Sequence, residues 1–315
     1  MSLPKTGALE LPDFELELGG TLRDARVAYR THGTLSAARD NAVLFPHMYA
    51  GAPASLDRWI EPGRPLDPGR WFVVCPGQLG PGESSSRGDS ESPFPPLTIG
   101  DDVEAQRRLL DHLGIERLEL ALGFSMGAQQ AWEWGVRFPE RVRRLALFAG
   151  TARTTPHGAL VVGAAAEALR GGGLAAHARY WAATALSPEL FRREAWRDAG
   201  FASVDDLVQR LFVDDFAGLE AENLLCELGK WTRADVSRHT QSDLGAALRR
   251  ISARTFVIPF SHDVFFPAAD CEAEQKLVPG SELRLVESLW GHYAWGPNPA
   301  ETLQIDGFLT ELLAE

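Results

Sequence analysis

Short apolar runs rich in valine, leucine and phenylalanine recur along the chain, and stretches with helical spacing separate several of them. Such runs are typical of strands that are buried on both faces of a parallel sheet. The predicted buried strands span residues 41–47, 71–76, 118–124, 144–150, 254–260 and 282–288. The predicted helices span residues 101–114, 125–139 and 298–315. This alternation predicts an α/β fold with a mostly parallel central sheet and helices on both faces.

Two regions depart from the alternation. Residues 14–20 and 25–33 alternate polar and apolar positions, which predicts an antiparallel hairpin with one solvated face. Residues 151–250 show helical spacing without a strand-like run, and the sheet pattern resumes after them. We therefore expect a helical lid at 151–250 and a core formed by 1–150 and 251–315. An independent helical domain is the alternative for the insertion.

Composition and charge narrow the classes of partner. The 315 residues carry a net charge of −12, and such a surface repels the phosphates of nucleic acids. The N-terminal segment lacks the pattern of a signal peptide, and no apolar stretch approaches the length of a membrane span. We expect a cytoplasmic protein with reduced thiols and no structural metal, because no metal-ligand spacing is found around its three cysteines, Cys75, Cys226 and Cys271.

A serine stands between two glycines in GFSMG, residues 123–127. An apolar strand precedes this segment and a helical pattern follows it, which is the context that the G-x-S-x-G motif of serine nucleophiles requires. The small flanking residues allow strand and helix to approach closely, and the helix N-terminus favours developing negative charge. Ser125 is therefore predicted to be a nucleophile; the alternative is a small residue at a strand-to-helix junction.

A serine nucleophile needs a base, and the base needs an anion to orient it. His292 follows the last predicted strand and Asp263 follows the strand before it, which gives the chain order serine, aspartate, histidine. Asp270 is the alternative acid, and His262 is the alternative base. Surface or core positions without a catalytic role are predicted for His112, His157, His177 and His239.

A tetrahedral intermediate also needs two backbone N–H donors for its oxyanion. Met126 follows the serine directly, so its N–H is one predicted donor. The second is predicted in the loop HMYAG after the strand at 41–47, at Tyr49. These assignments depend on position alone, because a backbone donor sets little constraint on residue type.

Five blocks of sequence resemble the homoserine O-acetyltransferase family of α/β-hydrolases. They are AYRTHGTLSAARDNAVLFPHMYAG, WIEPGRPLDPGRWFVVCPGQLGPGESS, LTIGDDVEAQRRLLDHLGI, GFSMGAQQAWEWGVRFPERVRRLALFAGTAR and SHDVFFP. The stretch SMGAQQAWEWGVRFPERV is the most specific of them. The resemblance covers nearly the whole predicted core, is weaker in the lid, and implies an α/β-hydrolase fold.

The resemblance implies a serine nucleophile at Ser125, with Asp263 and His292 as its partners. Family members pass an acyl group from acyl-CoA to an alcohol by a ping-pong route, without a bound cofactor. They often form homodimers through the lid helices. A family arginine that pairs with the substrate carboxylate corresponds to Arg179.

Two departures from the family pattern concern the substrate. The nucleophile block of the family usually reads G-G-S-x-G-G, whereas this chain has G-F-S-M-G-A. Homoserine enzymes generally place an aspartate after the catalytic histidine, where it helps to hold the substrate amino group. This chain has Tyr293 there, which predicts a substrate-binding residue with a different preference.

Three functions are compatible with these residues. The first is an O-acyltransferase that uses acyl-CoA and a small alcohol acceptor other than homoserine. The alternative is a serine esterase or thioesterase, in which water takes the place of the alcohol; positioning rather than residue type separates the two. The third, a scaffold reused for binding, is disfavoured by the presence of serine, aspartate and histidine in order.

Overall fold

The structure is a computed structural model that describes residues 3–87, 94–296 and 298–314. Eight strands of the described chain form one sheet in the order β1-β4-β6-β5-β7-β8-β9-β10, and two others form a small ribbon. In chain order the strands are β1 (Lys5–Leu11), β2 (Phe14–Glu15), β3 (Thr21–Leu22), β4 (Ala25–His32), β5 (Ala42–Leu44), β6 (Phe72–Pro76), β7 (Leu120–Phe124), β8 (Arg144–Phe148), β9 (Arg254–Ile258) and β10 (Glu282–Leu283).

The central sheet is parallel from β6 to β10, and β1 and β4 extend it antiparallel at one edge. Each predicted buried strand coincides with one of these strands. Strands β5 and β10 are both much shorter than predicted, although a single bridge from Phe260 to Val286 continues the pairing of β10 with β9. The predicted α/β fold with a mostly parallel sheet is therefore confirmed.

The predicted N-terminal hairpin is wrong in its pairing. Strand β4 is formed as expected, but it pairs with β1, residues 5–11, instead of residues 14–20. The latter segment folds back on itself, because Gly19 and Gly20 both adopt a φ of 89° and turn the chain within β2–β3. Such a φ is open to glycine at little cost.

The helices of the described chain are α1 (Ile99–His112), α2 (Met126–Arg137), α3 (Pro156–Ala185), α4 (Pro188–Arg192), α5 (Val204–Val208), α6 (Asp214–Phe216), α7 (Ala221–Thr232), α8 (Leu244–Leu248), α9 (Ala268–Gln275) and α10 (Pro299–Leu313). The sheet separates two hydrophobic clusters. One cluster contains side chains of α1 and α2, and the other contains those of α10. In β7, Ala121 faces the first cluster while its neighbours Leu120 and Leu122 face the second.

Residues 151–250 contain α3 to α8, as the helical spacing predicts, and their division from the core stays a prediction. The expectation that no apolar stretch approaches the length of a membrane span is wrong for helix α3. By length and composition this helix is long and apolar enough to cross a membrane, with a mean hydropathy of 1.3. Its backbone is interrupted at Gly173, which has a φ of 68°. The longer uninterrupted part, residues 156–172, lies at the lower limit of the ~17–25 residues that a span needs.

Glu274 on α9 fixes the loop after β8 by hydrogen bonds to its backbone. Its carboxyl oxygens accept hydrogen bonds from the N–H groups of Ala152 (2.6 Å) and Arg153 (3.1 Å). Burial raises the pKa of Glu274 to about 8, against an ordinary value of 4.5. At neutral pH the folded protein therefore retains a proton on this group that the unfolded chain has lost.

This shift predicts that stability falls as pH rises. Between about pH 4.5 and 8 the folded state binds more protons at Glu274, so the free energy of unfolding decreases by at most ~1.4 kcal/mol per pH unit from this group. Urea unfolding at pH 5.5, 7 and 8.5 should show this decline in the wild type and a weaker decline in Glu274→Gln. An equal decline in both proteins would contradict the assignment.

Candidate active site

The turn that carries Ser125 is strained and closely packed. Ser125 links β7 to α2 and adopts φ 57° and ψ −123°, a region that residues other than glycine rarely occupy. A Cβ at Gly123 would lie 2.1 Å from the backbone of Gly127, and one at Gly127 would lie 2.5 Å from the carbonyl of Pro46. Both glycines of the motif are therefore required by close backbone contacts, and the turn lifts the serine hydroxyl above the sheet edge.

Ser125, His292 and Asp263 form one hydrogen-bonded set. The Ser125 hydroxyl lies 3.0 Å from Nε2 of His292, and Nδ1 of His292 lies 2.8 Å from Oδ2 of Asp263. A carboxylate can only accept, so Nδ1 carries the proton and Nε2 is free to accept the serine proton. All three side chains are buried. The structure thus brings together the three residues that the sequence predicted as nucleophile, base and acid.

The Asp263 carboxylate is held in place by the backbone. Its Oδ1 accepts hydrogen bonds from the N–H groups of Phe265 (2.8 Å) and Phe266 (3.1 Å), which leaves Oδ2 for His292. The two phenylalanine rings also pack against the imidazole, with centroids 4.9 and 5.7 Å away. The acid and the ring are therefore fixed relative to each other.

The alternative acid and base lie outside this set. His262 is exposed, and Asp270 lies within α9, where it is half-buried. His112 and His157 are exposed, and His239 hydrogen-bonds to Glu133, as predicted for residues without a catalytic role. His177 is a core residue, and its ring lies 2.9 Å from the hydroxyl of Tyr49 in the loop at residues 48–51.

A cavity of about 280 Å³ opens beside Ser125 and His292. Its walls come from the loop at residues 48–51, from residues 151–250, the predicted lid, and from the segment after His292. The lid contributes an acidic and two aromatic side chains, and the last segment two aromatic ones: Trp181, Asp215, Phe216, Tyr293 and Trp295. None of the described lining residues is a lysine or an arginine.

The two predicted oxyanion donors belong to the residue after the serine and to the loop at residues 48–51. Met126 is the first residue of α2, so its N–H has no acceptor within the helix. Tyr49 lines the cavity within a turn in which the N–H of Gly51 donates to the carbonyl of Met48 (3.2 Å). Ala50 in this turn has a φ of 56°. Both positions are compatible with the predicted role, which stays a prediction.

The two predicted substrate-binding residues have different surroundings. Tyr293 lies on the cavity wall and packs against Phe212 and Trp295, and burial raises the pKa of its hydroxyl. Arg179 is not brought into the site. It is exposed on α3 and lines a separate surface depression, because its neighbours His177 and Trp181 occupy the buried face of that helix.

Sequence reasoning missed the lid side chains that close the cavity. Trp181 and His177 are four residues apart and share one helix face, which is the only signal that could have indicated them.

Three residues that could hold a metal ion, Glu17, Glu133 and His239, lie close together, and an arginine pairs with their carboxylates. The guanidinium of Arg238 bonds to both carboxylates, which accounts for this group as an ion-pair network.

Comparison with known proteins gives the same fold and ester-cleaving relatives. A family model described as alpha/beta hydrolase fold matches residues 41–299. A probable esterase of Corynebacterium glutamicum is 42% identical over 302 residues, which cover 88% of this chain and 86% of that protein. The ethyl acetate hydrolase of Pseudomonas veronii is 40% identical, and the match covers 95% of this chain and 93% of that protein.

A solved structure and a second group of relatives complete the comparison. The structure of an acetylester hydrolase from Corynebacterium glutamicum matches with a TM-score of 0.95 at 39% identity, covering 99% of this chain and 96% of that one. The homoserine O-acetyltransferase of Thermobifida fusca is 31% identical, and the match covers 94% of this chain and 88% of that protein. The resemblance to the acetyltransferases is therefore confirmed, but the esterases are more similar.

Proposed function

This chain belongs to the alpha/beta hydrolase fold family, and on that premise we propose that it is a serine esterase that hydrolyses short-chain acyl esters. The single observation that carries the proposal is the hydrogen-bonded set of Ser125, His292 and Asp263 on the wall of a small cavity. The esterase names of its more similar relatives support it. The acyltransferase interpretation has weaker support, because the homoserine O-acetyltransferases match either at 31% identity over 94% of this chain or at 41% over less than half of it.

The proposed reaction begins when Ser125 Oγ attacks the ester carbonyl carbon and His292 Nε2 takes the serine proton. The negative charge on the carbonyl oxygen is stabilised by the N–H groups of Met126 and Tyr49. The bond to the leaving alcohol then breaks, and His292 passes the proton to that alcohol. Water attacks the acyl-enzyme with His292 as base, which releases the acid and restores the serine. Asp263 keeps the imidazole in the required tautomer and stabilises its charged form.

The size and charge of the cavity indicate the substrate class. A volume of about 280 Å³ lies just below the range of ~300–1,000 Å³ that is typical of ligand pockets. Among its described lining residues, the one carboxylate, Asp215, has no lysine or arginine beside it. Such a lining favours a short, uncharged ester. It disfavours homoserine, whose carboxylate would find no cation, since Arg179 lies elsewhere.

A substrate series tests the proposal. We expect kcat/KM to fall at least about tenfold from p-nitrophenyl acetate to p-nitrophenyl octanoate, because the longer chain exceeds the cavity. We expect homoserine to leave the rate of CoA release from acetyl-CoA unchanged. An acetyl-enzyme that persists in water and is discharged by an added alcohol would favour the acyltransferase instead. Absence of turnover with every ester and with acetyl-CoA would favour a binding scaffold.

A further inference from the structure

We infer that Glu227 on α7 is a positioning residue: its buried carboxyl holds the peptide group between Tyr49 and Ala50 and so sets the loop whose N–H stabilises the oxyanion. This inference extends the proposed function, since it assigns a residue of the lid to the geometry of the same site. No substrate contact is required of Glu227, which acts through the loop.

The loop needs a hydrogen bond from outside itself to keep its conformation, because its backbone is strained. The N–H of Gly51 donates to the carbonyl of Met48, which closes a tight turn over Tyr49 and Ala50. Ala50 adopts a φ of 56°, a value that favours glycine. The N–H of Ala50 donates to Oε2 of Glu227 at 3.2 Å. This bond fixes the orientation of the peptide plane that directly follows Tyr49.

Glu227 is buried at a cost to the fold. The side chain is fully buried, and burial raises its pKa to about 8. Lys230, one turn further along α7, donates to Gln78 (2.8 Å), to the carbonyl of Leu79 (2.8 Å) and to Asp102 (2.7 Å) instead. Within the described residues, Oε1 of Glu227 has no hydrogen-bond partner. A buried group that is only half satisfied calls for a role beyond packing, and the bond to Ala50 supplies one.

A second lid helix holds the same loop through the Tyr49 side chain. The Tyr49 hydroxyl lies 2.9 Å from Nε2 of His177 on α3, and Nδ1 of that ring lies 2.9 Å from the carbonyl of Ala165. Nδ1 must donate to the carbonyl, so Nε2 accepts from the tyrosine hydroxyl. This hydroxyl is therefore engaged by the lid, and the backbone is the part of Tyr49 left for the oxyanion. Helices α3 and α7 therefore hydrogen-bond to the loop at two consecutive residues, Tyr49 and Ala50.

The test compares variants that keep or remove the acceptor. In Glu227→Met the acceptor is lost at similar volume, and we expect kcat for p-nitrophenyl acetate to fall about tenfold or more with KM within about twofold. The rate of Ser125 phosphonylation by a p-nitrophenyl phosphonate should fall by the same factor. In Glu227→Gln the amide oxygen still accepts from Ala50, so we expect at least about a third of the wild-type kcat.

Glu274→Met is the matched control. Glu274 is also buried, also has a pKa raised to about 8 and also accepts backbone N–H groups, but those belong to the loop after β8. We expect its melting temperature to fall as in Glu227→Met while kcat stays within about twofold of wild type. If Glu227→Met does not fold, Glu227→Asp replaces it, because the shorter side chain withdraws the acceptor while it keeps the acid.

Three results would overturn the inference. They are an unchanged kcat in the folded acceptor-withdrawing variant, an equal kcat loss in Glu274→Met, and a kcat loss in Glu227→Gln as large as in Glu227→Met. Failure of the esterase proposal is recognised separately, by absence of ester turnover in the wild type. Phosphonylation of Ser125 still reports on the loop in that case, because it needs no particular acyl donor.

Discussion

Replacement of Ser125 by alanine is expected to lower kcat for ester hydrolysis by about 10⁵–10⁶-fold, the loss found when the nucleophile of a serine, histidine and aspartate triad is removed. The other groups of the site persist in this variant, but the hydroxyl that lies beside His292 Nε2 is lost, so the acyl-enzyme cannot form at residue 125. The fold should persist as well, since alanine meets the same backbone strain at φ 57° and loses only one buried hydroxyl. The thermal midpoint should therefore change by only a few degrees.

The measurement is the initial rate with p-nitrophenyl acetate, with circular dichroism melting on the same samples. Ser85→Ala is a control, because Ser85 is also buried and hydrogen-bonded to the backbone, at the N–H of Arg26 (2.8 Å), but lies outside the cavity lining. This control should retain wild-type kcat. A Ser125→Ala protein that is folded and loses less than about tenfold in kcat would refute the nucleophile assignment.

Replacement of Asp263 by asparagine is expected to lower kcat by about 10⁴-fold. Oδ1 is fixed by two N–H donors, so the asparagine oxygen takes that position and the amide nitrogen faces His292. An amide nitrogen donates, which forces the proton of the ring from Nδ1 to Nε2. His292 would then donate towards Ser125 and could not accept its proton.

Asp270→Asn is the matched comparison, since Asp270 was the alternative acid and lies on α9 outside the hydrogen-bonded set. We expect its kcat to stay within about threefold of wild type. Steady-state kinetics of both variants with one acetyl ester decides between the two acids. A large loss in Asp270→Asn together with a small loss in Asp263→Asn would reverse the assignment.

The parallel strands were predictable because strands buried on both faces must be apolar along their whole length. The error at the N-terminus has a physical cause. Residues 14–20 alternate like a strand, but alternation does not identify the partner, and β1 pairs with β4 over seven residues instead. The break in α3 at Gly173 did have a sequence signal, because Gly173 ends a run of three glycines, but the helical spacing on both sides concealed it.

The site residues that could be predicted are those that a local motif or the order along the chain identifies. Ser125 has a turn that needs its glycines, and Asp263 and His292 follow the last strands of the sheet. Arg179 could not be placed, because helical phase in the lid decides which side chains face the cavity. Glu227 was missed for a similar reason: the sequence places it in an amphipathic helix beside exposed acidic residues, and only its burial distinguishes it.

The covalent chemistry of the proposed esterase can be tested in one measurement. Incubation with a p-nitrophenyl phosphonate, followed by mass spectrometry of the intact protein and of its peptides, reports where a stable tetrahedral adduct forms. The account predicts one phosphonyl group per chain on the peptide that contains Ser125, with loss of ester turnover in the same proportion. Stoichiometric labelling of another residue, or full activity after Ser125 is labelled, would contradict it.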